Sequence, residues 1–335
     1  MTLPSVTIVV LNWNGGETTR ACLRSLADIA YPNVSIIVVD NASIDGSTEE
    51  LARNPAIDLI RNSQNLGFTG GVNTGIRLAM ERGADYVWLL NSDATTGPDV
   101  LGQLVAAAAT DSRIGLVSPV FHNPEPPHTP EFVLGCFDPI ALTASQTTNP
   151  AKALQWRQQH PNRIVLLGTA LLIRRALIER IGVLDASFFA YVEDVDYSLR
   201  AIAAGFRNVA VPDAIVYHGF KRPIEDPQSA PPYLYYYMTR NYLLLWTKLR
   251  PHPFLSKAMI WFLRQRLLQI ARMADQPAAV DALLAGIWDG LLGSGGQYNP
   301  ARRMPAPLRW IVARHARFWL MLLDRRKPSL ERDAA

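Results

Sequence analysis

Three acids fall within four positions in Tyr191-Val192-Glu193-Asp194-Val195-Asp196, at the expected start of a helix. The helix dipole favours an acidic first turn by roughly 0.3–1 kcal/mol per charge, which alone explains one or two acids on a solvated turn. It explains less well acids set among Phe188, Phe189, Tyr191, Val192 and Val195. Burial there raises a carboxylate's pKa and makes it a usable general base. Asp93 follows Asn91 and Ser92 after an apolar run. A carboxylate in that place suits Mg²⁺ or Mn²⁺, which prefer oxygen and leave positions open for phosphate oxygens. His218 also ends an apolar run and offers an imidazole, which suits manganese better than magnesium; taken alone it reads more as a structural histidine, and its place at a strand end after the acidic segment balances the two readings. The stretch from Gly67 to Gly75, with Gly70, Gly71 and Asn73, opens a helix, and helix N-termini attract phosphate. It is neither a P-loop nor a dinucleotide fingerprint, and its plain alternative is tight packing of helix on sheet.

Those residues need strands to bring them together. Apolar runs at 6–11, 34–39, 57–60 and 86–90 alternate with helical patterns at 18–26, from Ser47 (an N-cap with Glu50 three residues on) and after the glycine-rich stretch to about Arg82. Runs buried on both faces and separated by helices predict parallel strands in an open α/β sheet. Such sheets bind ligands at the carboxyl ends of their strands. Asn12 and Asn14 follow the first strand, Asp40 and Asn41 the second, and Asn91 and Asp93 the fourth. Asn and Asp are common in turns, so one such loop says little; three in succession favour a site. Residues 121–162 read as a long excursion with a hairpin around 132–137. Then come a strand at 166–174, a short helix at 175–181, a helix stopping at Gly205, two strands at 209–211 and 215–218, and helices at about 233–249, 254–274, 278–292 and 306–324.

Composition narrows the classes. With 335 residues, 49% apolar and 19% charged, the chain is not intrinsically disordered, and it is long enough for about two domains. Two cysteines exclude a disulfide scaffold and a cysteine zinc site and fit a reducing compartment. The first apolar run is short and lacks a basic leader, so it reads as a strand rather than a signal peptide, and no apolar stretch reaches bilayer-spanning length. A cytoplasmic protein, or a peripheral one on the inner face of the membrane, is expected. Residues 1–220 hold 15 Lys/Arg against 21 Asp/Glu, and residues 221–335 hold 18 against 8. A basic, aromatic tail on an acidic body suits an anionic partner. Stretches 256–274 and 306–326 interleave basic with apolar residues; the first sets Ile260, Leu263, Leu267 and Ile270 on one face. They fit an anionic membrane surface, a homodimer contact or an ordinary helical subdomain. Basic residues lying among apolar helices, with no nucleic-acid motif, argue against a nucleic-acid partner.

Taken in order, these loops resemble glycosyltransferase family 2, in its rhamnosyltransferase-like branch. The resemblance rests on Val9-Val10-Leu11-Asn12-Trp13-Asn14, on Val38-Val39-Asp40-Asn41-Ala42-Ser43-Ile44-Asp45-Gly46-Ser47, and on Asn65-Leu66-Gly67-Phe68 with Gly71, Asn73 and Gly75. Leu89-Leu90-Asn91-Ser92-Asp93 and Phe189 to Asp196 followed by Leu199-Arg200 complete it. It covers residues 5 to about 220 and implies a GT-A fold: a Rossmann-like, open mixed sheet flanked by helices. Residues 1–225 would form that domain, with 1–120 the nucleotide-binding half and 121–225 the acceptor and catalytic half, and 226–335 a helical extension. The resemblance implies that Asp40 holds the nucleobase or ribose, with the Asn12–Gly15 loop contributing backbone contacts and Asn14 and Asn41 beside them. Gly71, Asn73, Asn91 and Ser92 would lie near the donor, and Asp93, joined by His218, would bind Mg²⁺ or Mn²⁺. Asp194 would be the general base, with Glu193 and Asp196 shaping its site. Where a two-acid metal motif is usual, position 91 is Asn, which leaves one carboxylate. The implied activity is inverting transfer of a sugar, L-rhamnose from dTDP-rhamnose, to a saccharide or lipid-linked glycan in cell-surface polysaccharide biosynthesis. The alternatives are a UDP-sugar donor and a non-catalytic nucleotide- or glycan-binding protein. A processive synthase is disfavoured because Arg309-Trp310 lacks its glutamine partner, and a pyrophosphorylase because no lysine-bearing glycine loop follows the first strand.

Overall fold

The apolar runs do become strands, and their period-2 alternation divides them between two cores. The strands are β1 (Val6–Asn12), β2 (Val34–Asp40), β3 (Asp58–Arg61), β4 (Tyr86–Asn91), β5 (Ala94–Thr96), β6 (Ile114–His122), β7 (Pro130–Phe132), β8 (Leu134–Asp138), β9 (Thr143–Thr147), β10 (Ile164–Val165), β11 (Ala170–Arg174) and β12 (Arg207–His218). Helices α1 (Gly16–Ala27), α2 (Ser47–Leu51), α3 (Gly67–Glu81), α4 (Val100–Ala109), α5 (Pro150–Gln159), α6 (Arg175–Ile181) and α7 (Glu193–Ala203) connect them. Val6, Ile8 and Val10 of β1 pack with Cys22 and Leu26 of α1 and Leu101 and Leu104 of α4. Val9, one residue out of phase, joins Val72 and Ile76 of α3 and Leu177 of α6 on the other face. This computed structural model describes residues 3–219, 230–249, 257–273, 275–312 and 314–315, in two compact units, Met1–Lys221 and Arg222–Ala335.

The main sheet runs β3-β2-β1-β4-β11-β6-β12-β5, with β7 beside β6. The first four strands are parallel, and the central β1 and β4 are buried on both faces, as in sheets covered by helices on both sides. The sheet as a whole is mixed, because β11 lies antiparallel between β4 and β6. That insertion reverses the useful end: β11 presents its first residues, not its last, beside the carboxyl end of β4.

Several expectations change. Of the 166–174 run only 170–174 is a strand, β11, with the short β10 just before the run, and 209–218 belongs to one strand, β12, whose bulge between Val211 and Ile215 imitates a break. The 121–162 excursion is ordered, with β10-β8-β9 forming a small second sheet and Asn149 capping α5. Ser47 is not an N-cap; Gly46, at φ +81°, precedes α2 and the Ser47 hydroxyl donates to Asp45. The glycine-rich stretch does not precede a helix but is its first half, since α3 begins at Gly67. A Cβ on Gly71 would stand 2.4 Å from Leu11 Cδ1, so glycine there lets the helix lie close on β1.

The second unit contains α8 (Pro232–Leu249), α9 (Lys257–Arg272) and α10 (Pro277–Leu291). Arg240 is fully buried over the rings of Tyr236 and Tyr237 and donates to Ser294 O. Tyr236 Oη donates to Asp289 at 2.8 Å. On α9 the buried side is Met259, Phe262, Leu268 and Ile270, with Phe262 edge-on to Trp246. Ile260, expected on the apolar face, is instead 60% exposed beside an exposed Trp261. Residues 306–312 are helical, and most of the expected 306–326 stretch lies outside the described residues. Among the described residues no helix is long and apolar enough to cross a membrane.

Candidate active site

The carboxyl ends of β1, β2 and β4 meet because their registers align Asn12 with Asp40 and Leu11 with Asn91. Asn12 is fully buried at this junction. Its Nδ2 reaches Asp40 Oδ1 at 2.8 Å, Ser47 Oγ at 2.9 Å and Ser43 Oγ at 3.1 Å, and its Oδ1 accepts from Thr19. Asp40 also accepts from Ser43 N–H. Asn14, at φ +50°, donates its N–H to Ser43 Oγ and accepts from Ile44 N–H. Asn41 is buried, with Nδ2 on Asn65 and Gly67 and Oδ1 accepting from Asn62 and Leu66 N–H. Asn12 and Asn41 therefore build the two loops from within, while Trp13 (56% exposed) stands at the rim.

The second cluster forms where β4 ends. Asn91 and Ser92 are half-buried and Asp93 is exposed. The antiparallel pairing of β12 with β5 sets His218 opposite Ala94, next to Asp93, and His218 Nε2 lies 3.1 Å from Asp93 Oδ1. The pair that the sequence separates by 125 positions is thus in contact. A carboxylate and an imidazole are ligands for Mg²⁺ or Mn²⁺, and two protein ligands suit a cation completed by phosphate oxygens and water. No cluster of three or more potential ligands occurs among the described residues.

The three acids have three different settings. Asp194 accepts from Gly168 N–H through Oδ2 at 3.1 Å and from Val195 N–H through Oδ1. Gly168 precedes Thr169, whose carbonyl accepts from Asn91 N–H at 2.8 Å. One hydrogen bond therefore links the strand end that carries Asp93 to the loop that holds Asp194. Gly168 and Thr169 were not among the expected site residues; no local pattern marks them, because their role depends on the reversed direction of β11. Asp196 is buried and paired with Arg200 Nε at 2.8 Å. That guanidinium also donates to Ile181 O and Val183 O, so Asp196 fastens α7 to the preceding loop. Glu193 is buried, and its Oε2 has no hydrogen-bond partner among the described residues.

Burial raises the pKa of Asp194. Burial, reinforced by the charge of Asp194, holds Glu193 well above the carboxylate range. Adjacent carboxyls pushed apart in this way let one stay protonated while the other ionises. A raised folded-state pKa stabilises at low pH and loses that contribution as pH rises through it. Glu193→Gln, which never ionises, should therefore gain in Tm relative to the parent as pH rises from 5 to 8, measured by thermal melts.

The turn before these acids is strained. Phe189 (φ +63°, ψ −57°) is the centre of a positive-φ γ-turn closed by Ala190 N–H to Phe188 O at 2.7 Å. Tyr191 and Val192 follow at φ +69° and +70°. Each such non-glycine residue costs on the order of 1–3 kcal/mol and persists only where its surroundings impose it.

Residues 7–182 match the family described as Glycosyl transferase family 2. The chain belongs to glycosyltransferase family 2. A family 2 relative, the N-acetylglucosaminyl-diphospho-decaprenol L-rhamnosyltransferase of Mycobacterium tuberculosis, is 30% identical over 242 residues, covering 66% of this chain and 78% of that protein. The dTDP-rhamnosyl transferase RfbF of Shigella flexneri is 23% identical over 291 residues, covering 82% and 92%. The mannosyltransferase PcManGT of Pyrobaculum calidifontis, solved with GDP-Man and Mn²⁺, superposes with a TM-score of 0.56 at 20% identity, covering 95% of this chain and 88% of that one. The fold is that of the GT-A glycosyltransferases, and the protein is a glycosyltransferase.

Proposed function

We propose that this family 2 enzyme transfers L-rhamnose from dTDP-rhamnose, with inversion, to a lipid-linked saccharide acceptor in cell-surface polysaccharide biosynthesis. The observation that carries the mechanism is the bridge Asp93–Asn91–Thr169–Gly168–Asp194, which links two carboxylates, one suited to a metal and one to a base, at the carboxyl end of β4. Residues 1–120 hold the donor in this reading, and 121–225 supply the acceptor side and the base. The acceptor hydroxyl loses its proton to Asp194 as its oxygen attacks the anomeric carbon, and the bond to the diphosphate breaks on the opposite face. A single base and no second nucleophilic carboxylate make this one displacement rather than two. Asp93 and His218 would hold the cation, which when bound offsets charge on the departing diphosphate. Asp40, with the Asn12–Asn14 loop, flanks the nucleoside, and Ser92 and Asn91 line the path to the diphosphate. The Mycobacterium and Shigella relatives support rhamnose, and the first of them supports a lipid-diphosphate acceptor.

A thermal-shift panel of dTDP-rhamnose, UDP-glucose and GDP-mannose, each with and without Mn²⁺, tests the donor. At 100 times its Kd the true donor adds about 2.7 kcal/mol of stability. Stabilisation by UDP-glucose or GDP-mannose alone would reject dTDP-rhamnose. The acceptor class also asks for a membrane surface. The surplus of positive charge beyond residue 220 and the exposed Ile260, Trp261, Trp310 and Ile311 support peripheral binding to anionic lipid. In flotation with phosphatidylglycerol vesicles the protein should rise at low salt and be released by high salt; a protein that stays at the bottom in both contradicts this.

A further inference from the structure

We propose that Asn73 is a positioning residue for catalysis: through the backbone of Leu184 it seats the loop that leads into α7 and so sets the position of Asp194. The inference rests on Asp194 being the base, and it replaces the expectation that Asn73 faces the donor. Asn73 is 1% exposed. Its Nδ2 donates to Leu184 O at 2.7 Å and its Oδ1 accepts from Leu184 N–H at 3.1 Å, across 111 residues of sequence. Both ends of the amide are thus engaged by one backbone residue.

The same face of α3 grips the loop again further along. Thr69 lies in the first turn of α3, where N–H groups have no partner within the helix, and its N–H goes to Phe189 O at 3.1 Å. That donor is spent on a carbonyl of the chain rather than on a phosphate. Gly67, at φ +73°, lets the two segments approach, since a Cβ there would meet Phe189 O at 2.4 Å. From the other side Tyr197 Oη donates to Gly182 O, and Arg200 to Ile181 O and Val183 O. The segment from 181 to 192 is therefore held between α3 and α7. It contains the γ-turn at Phe189 and the positive-φ pair Tyr191 and Val192, which lead directly into the first turn of α7. A strained turn of this kind relaxes unless it is held, and relaxation here moves Asp194 away from Gly168 N–H. The glycine-rich stretch then serves the base rather than the phosphate.

Asn73→Asp tests this by setting a carboxylate oxygen against Leu184 O. Assayed well below the Tm of each variant, it should lower kcat about 10- to 100-fold, the loss that a misplacement near 1 Å brings. Calorimetric affinity for dTDP with Mn²⁺ should stay within about twofold, and amide exchange across 183–192 should quicken. Affinity falling with kcat and exchange unchanged would return Asn73 to the donor site and overturn the proposal. If Asn73→Asp fails to fold, Asn73→Ser gives the same three readouts. Asp194→Asn keeps the two readings apart: if it turns over normally the base assignment fails, whereas unchanged exchange at 183–192 in the Asn73 variant defeats the seat independently.

Discussion

Asp194→Asn should reduce kcat by about 10²- to 10⁴-fold while donor affinity stays within about twofold. The substitution keeps the shape and removes the proton acceptor; the amide oxygen can keep the hydrogen bond from Gly168 N–H, at the loss of the one from Val195 N–H. The pH profile of the parent gives a second reading. Burial raises the Asp194 pKa, so the acid limb of kcat should fall at a pH above the ordinary aspartate range rather than near 4. The base must be deprotonated to act, so activity rises with pH through that limb. A variant that retains parental turnover would remove Asp194 from the chemistry. A flat acid limb in the parent would argue that burial does not govern the titrating group.

Asp93→Asn should be as damaging by a different route, lowering activity on the order of 10³-fold and abolishing stimulation by Mn²⁺. Position 91 is already Asn, so within Asn91-Ser92-Asp93 no second carboxylate can substitute. Unlike the base variant, this one should also lose Mn²⁺-dependent stabilisation by nucleotide sugar, because the diphosphate and the cation bind together. His218→Asn should fall between parent and Asp93→Asn, since it leaves the carboxylate in place. The two signatures separate the roles: one variant binds and does not react, the other does neither. Mn²⁺-dependent donor binding that persists in Asp93→Asn would break the metal assignment.

The parallel half of the sheet was legible because strands covered on both faces need continuous apolar runs, and Val6–Asn12, Val34–Asp40 and Tyr86–Asn91 supply them. The acids were legible for a related reason: charge among Phe188, Tyr191 and Val195 conflicts with packing unless it has a use. The reversed β11 was not legible, because Ala170–Arg174 reads the same in either direction and its orientation is set by pairing with residues 80 positions away. Gly168 stayed hidden with it. The contact of Asn73 with Leu184 had no local signal either: its expected place near the donor came from the family resemblance, and its partner lies 111 residues on. The excursion at 121–162 is polar and weakly periodic, so its small sheet gave no regular signal.

The reversed strand also governs the order in which the molecule can be assembled. β4 pairs with β1 on one side but acquires its second neighbour only when Ala170–Arg174 has been synthesised, so a large chain loop must close before the sheet is continuous. Until then a nascent polypeptide exposes the unpaired border of β4, with Trp88 and Leu90 beside it, as a template for wrong partners. Fragments ending before residue 170 should accordingly be prone to aggregation, and they lack Glu193, Asp194 and Asp196.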